Sequence, residues 1–420
     1  MSTTPQRPRR LLPTTRPQVS GHRFMRRRVE HGLLFGDIRM IHDPLASRHR
    51  AMLFSGVAVA LIAAVAGLFA WLRPNPDPGD ASILRDMQGN LLVRVGDRVH
   101  PVTNLTSARL IAGAPDEPAR VGDAVLATLP RGVPIGIPSA PSLFAPADSP
   151  ASSWSACELA GTVTVIAGYP SQSLDDATAV LATAGGKEWL ITRAGRAELP
   201  DAQTPQGRVL RRGLGIDSAT PRWSPPAQLL WALEEQPPLA FPADLPEVVD
   251  SDGQAWALNA TGGIQPVTPL QAELLVNAGA LERRVERAEL STYADADPPL
   301  DVRLPALRPV FLDPGSQALC ATQDGGASTM SVSGGTAGAI ELSGRATATR
   351  FIGLQLGAVG VDTGHGYHVV SAQGLRHEVP DRDTLTVVGA VHVEEVPWEI
   401  IALLPEGEAL SAKAAGTALY

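Results

Sequence analysis

Few side chains in this sequence are spaced for chemistry. Asp362, His365 and His368 form the one compact group of possible metal ligands. Two imidazoles and a carboxylate this close could hold an ion weakly, but such residues also decorate exposed turns, and no metal or cofactor is expected. Phosphate chemistry fares no better. A phosphate-cradling loop needs Gly-x4-Gly-Lys-Ser/Thr, because backbone amides wrap the phosphates and the lysine neutralises them. The chain has two lysines, and Lys187 precedes Glu188 while Lys413 precedes Ala414. There is no His-Glu-x-x-His, no Gly-x-Ser-x-Gly and no zinc-spaced cysteine cluster, so no catalytic residue is expected. The remaining reactive pair is Cys157 and Cys320, the only cysteines. An even count in an exported segment predicts a disulfide, the alternative being two unrelated buried thiols.

Export itself is read from Ala51 to Leu72, an apolar run without charge or proline. About 20 such residues cross a bilayer as a helix. Arg50 and Arg73 bracket the run, and Trp71 sits at an interfacial position. Residues 1–50 hold eleven arginines against three acids, a charge of +8; the whole chain is −8, so residues 51–420 carry −16. Basic flanks stay cytoplasmic, which places the N-terminus inside and the large part outside the plasma membrane. A cleaved signal peptide fits poorly. Ala64-Val65-Ala66 has the shape of a cleavage site but lies inside the run, and the basic region before it is too long. The acidic exterior makes nucleic acid an unfavourable partner.

The basic arm carries its own pattern. Ser20 is placed to cap a helix in which Met25, Val29 and Leu33 recur at helical spacing beside Phe24, with Arg23 and Arg26, Arg27 and Arg28 on other faces. Pro44 is expected to stop any second helix over 38–43. The plain reading is a topology signal that also touches anionic lipid; the functional one is a docking helix for a neighbouring membrane protein.

The exterior is rich in proline and glycine and poor in aromatics, which predicts short strands, turns and modest helices in several small units. Residues 74–79 read as a stiff stalk, and 138–150 as a loose linker. A degenerate repeat starts at Gly89, Gly186, Gly253 and Gly366 and continues through a second glycine at Gly96, Gly195, Gly263 and Gly374. In three copies a helix follows, stopped near Gly113, Gly279 or Gly389, and Thr103 or Asn104 can cap the first of these, Leu105–Ala112. Leu129-Pro130-Arg131-Gly132 matches Leu404-Pro405-Glu406-Gly407 in the first and last copies. Four ββα-type modules are inferred, near 82–140, 178–240, 246–305 and 358–412. The strand-like segments between them, 157–169 and 309–357, hold one cysteine each. One β-core built from both pieces and tied by Cys157–Cys320 accounts for this.

Several stretches resemble the EccB family, single-pass core components of type VII (ESX) secretion systems of mycobacteria and related actinobacteria. They are the arm from Gln18 to Phe24 and from Arg39 to Leu45, the run Leu92 to Gly96 with His100 to Ile111, then Arg131-Gly132, Ile135-Gly136-Ile137-Pro138 and Trp154-Ser155-Ala156-Cys157. The resemblance implies a scaffold in a membrane complex with EccC, EccD, EccE and further copies of itself. It also brings an ATPase activity attributed to the family, which the sequence does not support.

The expectation is therefore an α+β protein: a single transmembrane helix and an elongated periplasmic domain, with a central β-core and four small ββα-type repeat modules. Its parts are a cytoplasmic arm (1–50), the transmembrane helix (51–72), stalk and module 1 (73–142), linker and first core piece (143–177), module 2 (178–240), module 3 (241–305), second core piece (306–357), and module 4 with the tail (358–420). The expected function is scaffolding of protein export in the inner membrane. The alternative is a periplasmic nucleotide-hydrolysing or cell-wall-binding module, which would need an aromatic-lined cleft.

Overall fold

The computed structural model describes residues 14–39, 44–71, 76–331 and 338–420. They fall into two compact units, residues 1–75 and 76–420.

The first unit is helical. Helix α1 spans Arg16–Phe35, with Thr15 at its N-cap and Pro17 in its first turn. The Gln18 side chain accepts a hydrogen bond from the Thr15 amide at 2.9 Å, so the cap lies five residues before the expected Ser20, which sits inside the helix. Gly36, at φ 68°, ends α1 by returning its amide to Gly32 O. Helix α2 spans Pro44–Trp71 and contains the apolar run up to Trp71. Pro44 therefore opens a helix instead of closing one. That position suits it, because the first helical residue needs no amide donor. Ile38 and Arg39 are not helical, and residues 40–43, Leu72 and Arg73 lie outside the described residues.

In the second unit, the described residues form one seven-stranded core sheet and four smaller sheets. The core sheet runs 340–341, 350–352, 162–167, 154–159, 318–322, 327–330, 172–173 in spatial order. Its centre is the antiparallel pairing of 154–159 with 318–322, where two distant chain pieces meet with Cys157 opposite Cys320.

Each module extends beyond the ββα unit read from the sequence. An antiparallel three-strand meander leads to a helix. A short strand then returns parallel to the first strand, as 119–120 does to 84–85, 222–223 to 181–182, 282–284 to 248–250 and 393–395 to 360–362. After a further short helix the chain comes back parallel to the third strand, through Val99–Arg131, Arg196–Glu235, Ile264–Asp295 and Arg376–Glu406. The main helix is capped at the same place in every copy. Asn104, Thr204, Thr268 and Asp381 accept from the amides of Ser107, Gly207, Gln271 and Thr384. Such a cap contributes about 1 kcal/mol.

Module 2 has this helix too, over Pro205–Leu214, although the sequence pattern gave one in only three copies. Gly207 and Gly213 weaken its helical signature. Both are closely approached: a Cβ on Gly207 would meet the Asp201 carbonyl, and one on Gly213 would run into the Leu274 side chain of the module 3 helix. Modules 2 and 3 share a cluster that includes Leu181, Leu210, Leu214, Val248, Leu270 and Leu274. Modules 1 and 4 share another, with Leu110, Ile137, Val369, Leu385, Val388 and Leu410. The largest cluster joins the core sheet to modules 2 and 4, through Trp154, Val165 and Phe351 on one side and Leu229, Leu230, Ile400 and Ile401 on the other.

The segment 138–150, expected to be a loose linker, is built in. Ala145 and Ala358 exchange backbone hydrogen bonds with their neighbours (Ala145 N to Ala358 O, 2.8 Å; Ala358 N to Leu143 O, 2.9 Å), and the Thr106 hydroxyl donates to Pro141 O. Prolines supply no donor, so the neighbouring modules complete the segment's backbone pairing. The expected stalk is also partly engaged, since Pro76 O accepts from the Gly122 amide of module 1.

Candidate interaction sites

Helix α1 presents its apolar residues outward. Phe24, Met25, Val29 and Leu33 are 53%, 55%, 57% and 81% exposed, all more than half open within a unit that holds nothing to cover them among its described residues. Met25, Val29 and Leu33 recur every four residues and so form one stripe. Arg26 pairs with Glu30 one turn on at 2.8 Å, while Arg28 is exposed. The other face is internally tied: His31 is buried, its ring 5.0 Å from Phe35 and its Nδ1 3.1 Å from Asp37 O. In α2 the span from Arg50 to Trp71 has a mean hydropathy of 2.4 and no buried residue.

In the exterior unit the candidate functional groups hold modules to the core. Cys157 and Cys320 are joined by a disulfide that links the two core pieces. Two indole–carboxylate pairs flank it. The Trp154 indole donates from the core to Glu394 of module 4 at 2.5 Å, and Trp223 of module 2 donates to Glu158 of the core at 2.6 Å. All four side chains are buried, so each carboxylate needs these donors to offset its lost hydration.

A third device separates the modules. Where the chain returns beside the third strand, modules 2 and 4 carry arginine against glutamate. Arg196 donates to Glu235 at 2.8 Å and to Leu233 O at 3.1 Å; Arg376 donates to Glu406 at 2.7 Å and to Leu404 O at 3.2 Å. Each guanidinium lies 5.0 Å from a tryptophan ring, Trp189 for Arg196 and Trp398 for Arg376. Modules 1 and 3 place Val99 and Ile264 at that position.

Asp362, His365 and His368, the compact group in the sequence, are not one site. Asp362 accepts from the Gly364 amide within a turn, and His368 is buried 5.2 Å from the Trp398 ring. Among the described residues no group of three or more His, Cys, Asp or Glu could hold an ion. Burial pushes the His368 imidazole below its ordinary pKa, helped by Arg376. Burial does the same to His377, whose ring lies over Gly407, with Nδ1 2.8 Å from Glu408 O.

Comparison with known proteins decides the family. Residues 11–419 match the family described as "Type VII secretion system ESX-1, transport TM domain B", EccB. The chain belongs to the EccB family. It is 32% identical over 345 residues to "ESX-5 secretion system ATPase EccB5" of Mycobacterium tuberculosis, across 69% of this chain and 66% of that relative's length. It is 29% identical over 460 residues to "ESX-1 secretion system ATPase EccB1" of the same species, across 96% of this chain and 94% of the relative. The structure is similar to a chain of an intact ESX-5 inner membrane complex, with a TM-score of 0.63 at 28% identity over 98% of this chain and 96% of that one. It is also similar to the EccB3 dimer from the ESX-3 core complex, with a TM-score of 0.66 at 25% identity over 80% of this chain and all of the other.

This EccB-family chain is thus an α+β membrane protein with one spanning helix among its described residues and its sheet-rich unit on the periplasmic side. The indole–carboxylate ties and the paired arginines had escaped the sequence reading. Their carboxylate partners are 30 to 240 residues apart, and nothing local marks them.

Proposed function

We propose that this chain is a structural core component of a type VII secretion membrane complex, and that α1 docks it to another membrane component. One observation carries the proposal: an apolar stripe on α1, exposed on a cytoplasmic helix, in a family whose solved relatives are parts of ESX inner membrane complexes. A helix this rich in arginine gains little from exposing such a stripe, and burying three residues of this size contributes about 1.5–3 kcal/mol each. EccC, EccD, EccE and further copies of the chain are the partners expected on this reading, with the phospholipid bilayer around α2.

Relatives carry the name ATPase. We infer that this chain does not hydrolyse ATP, since its only lysines stand outside any phosphate loop. The test replaces Met25, Val29 and Leu33 together by Asp. The arginines remain, so insertion and orientation should persist, while co-purification with the other complex proteins and export should fall. Wild-type assembly and export by the triple variant would reduce the arm to a topology signal. ATP turnover by the purified exterior unit should equal background; turnover abolished by one point substitution would overturn the non-enzymatic reading.

A further inference from the structure

A cavity of about 390 Å³ opens where module 4, the core sheet and the segment 145–152 meet. Its lining includes Glu394, which also ties module 4 to the core through Trp154. We propose that it binds an extended, uncharged peptide segment that presents an apolar side chain beside a free backbone amide.

The chemistry of the walls selects this ligand. Ala145, Pro150, Ala167, Leu354 and Leu356 make most of the surface apolar, and Leu356 is 58% exposed at the rim although it is large and hydrophobic. No lysine or arginine lines the cavity, so a phosphate, carboxylate or nucleotide would meet no counter-charge. A cation fares no better. The one carboxylate, Glu394, already accepts from the Trp154 indole, the Ser152 amide and His392, which occupies both of its oxygens. The rings in the lining are Tyr169 and His392, the latter already held by Glu394, too little to sandwich a base.

The polar groups that remain match a peptide unit. Glu394 lies 2.9 Å from His392 Nε2, and in the neutral ring that donates from Nε2 the other nitrogen, Nδ1, is an acceptor for an amide N–H. Ser149 lines the cavity, and its hydroxyl has no partner and is closed to solvent. Rotation about its χ1 toward a ligand carbonyl would satisfy it, which is favourable because an unmade buried hydrogen bond is costly. One acceptor, one donor and an apolar hollow are what a peptide amide flanked by a small hydrophobic side chain requires.

The test uses the full chain in mild detergent and a fluorophore-tailed, acetylated and amidated Ala-Leu-Ala-Leu peptide, read by anisotropy. Saturable binding is expected, displaced by acetyl-leucine-amide and not by ATP. Leu356→Asp places a charge on the apolar rim and should weaken binding by about tenfold or more. Ser149→Ala should weaken it by roughly twofold to tenfold, the range of one net hydrogen bond. Trp231→Asp, on an exposed residue outside the cavity lining, should leave binding unchanged. The proposal is overturned by no saturable binding at millimolar protein, by displacement with ATP, by wild-type affinity in both cavity variants, or by equal loss in Trp231→Asp.

Discussion

Modules 2 and 4 face the core sheet, modules 1 and 3 do not, and their otherwise common chain path changes chemistry accordingly. The inner pair places Arg196 and Arg376 where the outer pair has Val99 and Ile264. In the inner modules that arginine does three things at once. It satisfies a carbonyl at the end of the short second helix, pairs with a glutamate on the returning strand, and covers a tryptophan. Its side chain is only 10% exposed in Arg196 and 14% in Arg376, while the partner glutamates are 60% and 61% exposed. The charge thus reaches solvent through the carboxylate, and the arginine stem fills the space beside the core. A repeat copied onto an interior position needs a side chain that packs and also bonds; on the outside an aliphatic residue is enough.

The largest test of this division is the core itself. Replacing Cys157 and Cys320 by Ser opens a sequence separation of 163 residues and should cost roughly 2–5 kcal/mol in unfolding experiments on the exterior unit. Modules 2 and 4 should lose hydrogen-exchange protection with the core sheet, ahead of modules 1 and 3. Uniform loss across all four would erase the distinction.

Next come two cavities of similar size. Ile401→Ala in module 4 and Leu126→Ala in module 1 each remove a buried aliphatic side chain, at about 2–5 kcal/mol. The first belongs to the cluster around the core and should lower exchange protection at Trp154 and Phe351. The second belongs to a cluster private to module 1 and should leave those amides as protected as before.

A smaller effect separates arginine from its glutamate. Arg376→Met should cost roughly 1–2 kcal/mol, because the Leu404 carbonyl and the Trp398 face both lose a partner. Glu406→Gln should cost less than about 1 kcal/mol, as expected for an exposed carboxylate. Equal losses from the two would mean that the ion pair, not the packing, explains the inner position.

The gentlest test is acid. His368 and His377, both in module 4, have pKa values held below the ordinary imidazole range, chiefly by burial. The unfolded chain then takes up protons before the folded one does. Stability is complete above about pH 6.5 and falls as pH drops from there toward the depressed folded values. The thermal midpoint should decline over that window, and His377→Gln should flatten the decline. An unchanged slope in that variant would assign the effect elsewhere.

Much of this was legible locally. The Asn104 cap, the turn glycines and the strand runs around the two cysteines are short-range signals, each fixed by backbone geometry or alternation. The return strands were not legible. Segments of two residues, such as 119–120 and 222–223, carry no periodicity and are strands only because a first strand lies alongside. The match between Pro130-Arg131-Gly132 and Pro405-Glu406-Gly407 was visible, but not its cause. In each, a histidine ring, His100 or His377, lies where a glycine Cβ would be.

What the sequence determined by itself is the membrane span, the charge asymmetry across it, the repeat and the cysteine pair, since each depends on residue type and count along the chain. Tertiary structure alone decided which modules lie against the core, which third-strand position is an arginine in contact with tryptophan, and which serine and histidine line the cavity beside Glu394. Those outcomes depend on groups brought together from distant parts of the chain, where burial sets the cost of every unpaired polar atom.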